Sequence, residues 1–100
     1  MNRIDVLVAI LDTLAASTPN ADRRCAFERA REFAERFKSP TCSLLPEDCL
    51  DYMQDFLHRN ADWEARQAGA LHASIQTRRS AAHRQAAFEH VSSLVNQLYG

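Results

Sequence analysis

The chain has 100 residues, of which 46 % are hydrophobic and sixteen are alanine, and it holds only two glycines and three prolines. This length predicts a single domain over residues 1–100, and the scarcity of glycine and proline argues against a turn-rich β protein, a glycine-rich phosphate loop and a disordered linker. The net charge of −1 argues against a general affinity for polyanions or membrane surfaces.

Apolar residues at helical spacing predict an all-α fold, a compact bundle of four or five helices. The first helix follows Asn2, a suitable N-cap, and its inner stripe runs from Ile4 to Leu14. Val6 and Ile10 lie outside that stripe. This helix is therefore predicted either to occupy the centre of the bundle or to be covered by another chain, as in a homodimer.

The N-terminal segment also bears on localisation. Its uninterrupted apolar run covers only residues 6–11, between Asp5 and Asp12, which is too short for a signal-peptide core or a membrane span. Without an export signal, the three cysteines are expected to be reduced. The sequence thus predicts a cytoplasmic protein with no membrane partner.

Two further helices follow along the chain. The second comes after a cap-and-turn cluster at residues 17–20 and extends to about Lys38, with small and large residues alternating along its inner stripe. A break is predicted over residues 39–43, because Pro40 pushes the residue before it out of the helical region. The third helix is predicted to begin at Pro46, since proline is favoured in a first helical turn.

The last segment, residues 61–99, holds no proline and a single glycine. One continuous helix of this length would span about 60 Å, which is too long for so small a domain. We therefore predict a break at residues 77–80, with Ser80 capping a fifth helix. The weak apolar stripe of the resulting fourth helix consists of Trp63, Leu71 and Ile75.

Charge is unevenly distributed along the chain. Residues 47–64 carry six acidic residues against one arginine, a net charge of −5, whereas residues 65–100 carry a net charge of +3. In the first of these segments, five side chains spaced 3, 4, 3 and 4 residues apart share the outer face of the third helix, if that helix continues to the last of them: Asp48, Asp51, Asp55, His58 and Asp62. The acidic members of this row, with Glu47 before them, are named the acidic stripe, which comprises Glu47, Asp48, Asp51, Asp55 and Asp62.

The acidic stripe has three interpretations. Its carboxylates form the solvated face of an amphipathic helix, or they dock into a basic groove of a protein partner by electrostatic complementarity, or they bind a divalent metal ion. Metal binding is disfavoured, because the stripe lacks the Glu-x-x-His pattern of di-iron bundles and no loop has calcium-binding spacing. The solvated face and the docking surface both stay open, and under the docking interpretation the stripe is the predicted partner-binding site.

Arginines in the last third of the chain suggest nucleic-acid binding instead. Helix-turn-helix proteins insert a second helix into the major groove, and these side chains could supply its contacts. Aromatic residues are not interleaved with the arginines, however, as they are in many RNA-binding modules. A match of this basic segment to the acidic third helix, within one chain or between subunits, is the alternative. The residues concerned are Arg66, Arg78, Arg79 and Arg84.

No motif in the sequence identifies a reaction. Cys42, Cys49 and His58 are spaced too widely for structural zinc ligands, and no two histidines have the spacing of a zinc protease. Cys25 and Cys49 are expected in or near the core, whereas Cys42 is the expected exposed thiol. We therefore predict a protein that is not an enzyme and that uses no metal and no cofactor.

One function hypothesis and one alternative follow. The hypothesis is a protein-interaction module that binds a basic nucleic-acid-binding protein or complex. By analogy of size and composition, one form of it is a small phage- or mobile-element-encoded inhibitor, as anti-CRISPR proteins are, which blocks nucleic-acid access to a host nucleoprotein complex. The alternative is a small helical DNA-binding transcriptional regulator that uses the basic segment from Arg78 to Arg84.

Overall fold

The chain forms four α-helices joined by short connections, in a computed structural model that describes residues 2–39 and 42–99. The helices are α1 (Arg3–Ser17), α2 (Ala21–Glu35), α3 (Pro46–Ala68) and α4 (Ile75–Leu98), and a 3-10 turn, Arg36–Lys38, follows α2. The bundle measures 44 × 25 × 24 Å. The predicted all-α bundle is confirmed, although Pro40 and Thr41 of the predicted break lie outside the described residues.

Two side-chain caps fix where the first two helices begin. The amide oxygen of Asn2 accepts a hydrogen bond from the backbone N–H of Asp5 at 2.9 Å, as predicted, and Asn20 accepts one from Arg23 at 2.9 Å. Each bond satisfies a donor that has no partner within the helix itself. The predicted start of α3 at Pro46 is also confirmed. Among the helices of the two described segments, none is long and apolar enough to cross a membrane.

The predicted break at residues 77–80 is wrong, because the turn between the last two helices lies at residues 69–74. Gly69 closes α3 through a backbone hydrogen bond of 3.0 Å to the preceding helical turn. Ser74, rather than Ser80, caps α4, and its hydroxyl accepts the backbone N–H three residues ahead at 3.1 Å. The helix therefore begins six residues earlier than predicted, and Ser80 lies inside α4.

The apolar residues assigned to a separate fourth helix consequently lie elsewhere. Trp63 belongs to α3, where it is exposed, and Leu71 lies in the turn. Ile75 is the first residue of α4. Leu71 and Ile75 are 87 % and 67 % exposed, so this end of the molecule presents apolar side chains to solvent.

The core lies mainly between α3 and α4, and α2 packs across α4. α2 contributes the buried alanines Ala26, Ala30 and Ala34, whose small side chains let its backbone approach its neighbours closely. The largest fully buried side chains are Leu7, Leu11, Leu50, Met53, Leu57, Phe88, Val91 and Val95.

α1 lies at the side of the bundle and packs chiefly against α2. Its inner stripe is buried from Ile4 to Leu11. Val6, Ile10 and Leu14 are only half-buried and line a shallow apolar groove of about 360 Å³. α1 is therefore not a central helix. Cover of this face by another chain stays a prediction.

Candidate functional site

Three carboxylates of the acidic stripe line one surface groove of about 460 Å³. Asp48, Asp51 and Asp55 share the outer face of α3, because residues three and four apart are neighbours on a helix. Leu44, in the segment before α3, and Tyr52, which follows Asp51 in α3, also line the groove, and both side chains are exposed. These five residues are named the acidic groove.

Neighbouring side chains orient two of these carboxylates. The hydroxyl of Tyr99 donates a hydrogen bond of 2.8 Å to Asp51 Oδ1, and it comes from the far end of the chain. Asp55 forms an exposed ion pair of 3.1 Å with Arg59, one helical turn away. Asp48 makes no ion pair within the described part of the chain. The groove therefore keeps a net negative charge.

The structure separates the other two members of the acidic stripe from the groove. Glu47 is exposed and lies 4.0 Å from Arg3 of α1, an ion pair at the outer limit of contact. Asp62 is exposed two helical turns beyond Asp55 and does not line the groove. Of the five predicted residues, Asp48, Asp51 and Asp55 are thus brought together.

Tyr99 is expected to ionise with a pKa of about 12, because burial and the hydrogen bond to Asp51 both disfavour the phenolate; the ordinary value is 10.0. Since the folded-state pKa lies above the unfolded value, this stabilisation is complete below pH 10 and is lost as the pH rises towards 12. Tyrosinate absorbance should therefore show a transition near pH 12 that Tyr99→Phe removes. If Tyr99 instead ionises near the ordinary value of 10.0, the contact with Asp51 is absent in solution.

A polar network that the sequence pattern did not predict joins α3 to α4. Gln54 Nε2 donates to the Ser92 carbonyl at 3.0 Å and to Asn96 Oδ1 at 2.7 Å, and Ser92 Oγ donates back to Gln54 Oε1 at 2.6 Å. His58 Nε2 lies 3.2 Å from the same hydroxyl. Because Ser92 is buried and its proton is committed to Gln54, this serine and histidine pair is a structural contact between helices.

The arginines predicted to bind nucleic acid do not form one free surface. Arg84 Nε donates to Glu64 Oε2 at 2.5 Å, and its Nη1 donates to Asp22 Oδ1 at 3.1 Å. The Glu64 carboxylate is buried at 3 % exposure, whereas the Arg84 side chain is 23 % exposed, so this ion pair is partly buried. The hydrogen bond with Glu64 raises the pKa of Arg84 above its usual value. Arg66, in contrast, is exposed on α3.

The burial of Glu64 had a signal in the sequence. Leu50 and Leu57 are both fully buried in α3, and Glu64 follows them at the same interval of seven residues. Two heptads bring a side chain back to nearly the same side of a helix. An acidic residue in line with two core leucines therefore indicated a buried ion pair rather than a solvated charge.

Arg78 and Arg79, the remaining two predicted nucleic-acid-binding residues, lie beside the exposed turn between α3 and α4. Arg78 Nε donates to the Ala68 carbonyl at 3.0 Å, which satisfies a free acceptor at the end of α3. Arg79 is exposed next to it. Both line a groove of about 240 Å³ between the end of α3 and the start of α4. This surface is named the basic tip and comprises Leu71, Ile75, Arg78 and Arg79.

The cysteines offer no metal centre in the described segments, where no group of three or more histidine, cysteine, aspartate or glutamate side chains could hold an ion. Cys49 is buried, and burial, together with nearby Cys42, raises the pKa of its thiol. Cys25 and Cys42 are half-buried. A raised thiol pKa makes Cys49 a poor nucleophile near neutral pH.

Comparison with protein-family models, with curated proteins and with solved structures finds no significant match to this chain.

Proposed function

We propose that this protein is a non-enzymatic interaction module whose acidic groove binds a basic surface of a protein partner in the cytoplasm. The observation that supports the proposal is the grouping of Asp48, Asp51 and Asp55 with two exposed apolar side chains in one groove. Arginine and lysine carry an apolar stem below a charged head. A groove that offers carboxylates and apolar contact together is suited to such side chains.

Charge alone would give weak binding in this groove. Exposed ion pairs contribute roughly 0.2–1 kcal/mol each and are screened by salt. The carboxylates therefore favour fast association and selection of a basic partner more than affinity. Leu44 and Tyr52 are expected to supply the apolar part of the binding free energy, since tyrosine is enriched among the residues that dominate binding energy. Partner binding should weaken as ionic strength rises.

Inhibition of a nucleoprotein complex is the specific form of this function that fits the small size and segregated charge. Carboxylates about 5–6 Å apart on one helix face resemble the spacing of phosphates along a nucleic-acid strand. The groove would therefore compete with nucleic acid for an arginine-lined channel. A small inhibitor encoded by a phage or mobile element, analogous in size to anti-CRISPR proteins, would act by such occlusion.

Affinity capture from the source cell tests the role of the groove. The bait is the wild-type chain or the double variant Asp51→Lys with Asp55→Lys. The matched control is Glu28→Lys with Glu32→Lys, which makes the same change in net charge at the same spacing on the exposed face of α2. Thermal melting of all three proteins verifies that each is folded.

We expect the groove variant to lose at least tenfold in affinity for the captured protein, while the control binds as the wild type does. Addition of the wild-type chain should also release nucleic acid from that partner. Equal binding by both variants would overturn the groove as the interface. If the partner binds but keeps its nucleic acid, the protein is still an interaction module, and the occlusion mechanism is rejected.

A further inference from the structure

The basic tip is a second interaction surface, at the turn between α3 and α4. Leu71 and Ile75 are the two most exposed large apolar residues of the described chain. Arg78 and Arg79 stand beside them on the first turns of α4. Apolar side chains with adjacent guanidinium groups are typical of the centre of a protein interface, where arginine is enriched.

The acidic groove has the complementary composition. It presents carboxylates beside the apolar side chains of Leu44 and Tyr52, as the tip presents guanidinium groups beside leucine and isoleucine. The two surfaces lie at opposite ends of α3, about 25 Å apart at 1.5 Å per residue. Because a rigid helix separates them, one molecule cannot close its own tip onto its own groove.

We propose that the basic tip of one copy of this chain docks into the acidic groove of a second copy. The inference rests on the proposed function, because the same groove is used. Such a contact joins two different surfaces and leaves one tip and one groove free, so it continues into a chain or a ring. Self-association would then compete with a foreign partner for the groove.

A second copy suits the tip better than a nucleic acid does. On a phosphate backbone, Leu71 and Ile75 would stay in water, and Arg84, the third arginine of this helix, is already paired with Glu64. In the groove of another copy, both the apolar and the charged side chains of the tip meet complementary groups. The contact is small, so association should be weak and salt-sensitive.

Sedimentation velocity over roughly 10 µM to 1 mM protein, in 50 mM and in 500 mM NaCl, tests the proposal. The tip variant is Ile75→Glu with Arg79→Glu, which keeps Arg78 and its hydrogen bond to Ala68. The groove variant is Asp51→Lys with Asp55→Lys. We expect the wild type to associate at low salt and each variant alone to associate at least tenfold more weakly. An equimolar mixture of the two variants should regain association. In the mixture, the unchanged tip of the groove variant can bind the unchanged groove of the tip variant, and the two charge-reversed surfaces are also complementary.

Three results would overturn the proposal. In the first, the wild-type chain stays monomeric at 1 mM in low salt. In the second, both variants associate as strongly as the wild type. In the third, the wild type binds double-stranded DNA or phosphatidylserine vesicles through the basic tip instead of a second copy. A fluorescein-labelled peptide with two arginines four residues apart and a leucine between them separates this inference from the proposed function. If the wild type and the tip variant bind the peptide and the groove variant does not, the groove stands even when self-association fails. If no protein binds it and none associates, both proposals fail.

Discussion

Replacement of Arg84 by methionine is expected to lower the free energy of unfolding by about 3 kcal/mol, the usual cost of removing one partner from a buried ion pair. The guanidinium contacts Glu64 at 2.5 Å and Asp22 at 3.1 Å. Asp22 is partly exposed and water can solvate it once the arginine is gone. Glu64 is 3 % exposed, so its charge would be left inside the bundle without a partner.

The double variant Arg84→Met with Glu64→Met isolates that cause. Replacing a whole buried ion pair with apolar side chains of similar volume is often neutral, so the double variant should recover most of the loss. Urea denaturation with linear extrapolation measures all three proteins. For a domain of this size, about 3 kcal/mol corresponds to a fall in Tm of roughly 12–24 °C. A single variant within 1 kcal/mol of the wild type would show that Glu64 is solvated.

Local signals in the sequence were sufficient for much of this fold. The Asn2 cap and the proline at the start of α3 were predicted from short-range chemistry and are confirmed. The last turn was misplaced because Ser74 and Ser80 are equally good caps in isolation. The choice between them depends on tertiary contact, since the hydrogen bond from Arg78 to the end of α3 forms only when the turn lies at residues 69–74.

The acidic groove was predictable only in part, because some of its contacts are local and others depend on tertiary packing. Helical spacing alone places Asp48, Asp51 and Asp55 on one face, so those three could be grouped from the sequence. Leu44 reaches the groove from a segment without helical periodicity, and Tyr99 reaches Asp51 across 48 positions of the chain. No pattern of neighbouring residues specifies such contacts, because they depend on how α4 packs along α3.

Truncation of Phe88 to alanine is expected to lower the free energy of unfolding by about 4 kcal/mol, within the range for buried phenylalanines. Phe88 is fully buried in α4, and its ring packs edge-to-face with that of Phe56 at a centroid distance of 6.4 Å. Phe56 in turn stacks on Phe33 at 4.2 Å. This aromatic series connects α4, α3 and α2, so the cavity would open where three helices meet.

The alanine content of the core makes that cavity costly. Collapse of neighbouring side chains reduces the cost of a truncation, but three of the four buried residues of α2 are Ala26, Ala30 and Ala34, whose side chains cannot extend into the gap. With a total stability of about 5–15 kcal/mol expected for a small domain, Phe88→Ala should remove a large part of the free energy of unfolding. Phe88→Leu, which fills most of the volume, is expected to lose roughly 1–1.5 kcal/mol.

Phe37→Ala is the matched control, because this phenylalanine lies in the 3-10 turn and is only half-buried. Its truncation should cost about 1–2 kcal/mol, since much of its surface is already in water. Urea denaturation of the three variants ranks them directly. An equal loss in Phe37→Ala and Phe88→Ala would mean that the bundle relaxes around both sites. The alanines of α2 would then not limit its repacking, and the core would be more adaptable than its close helix contacts imply.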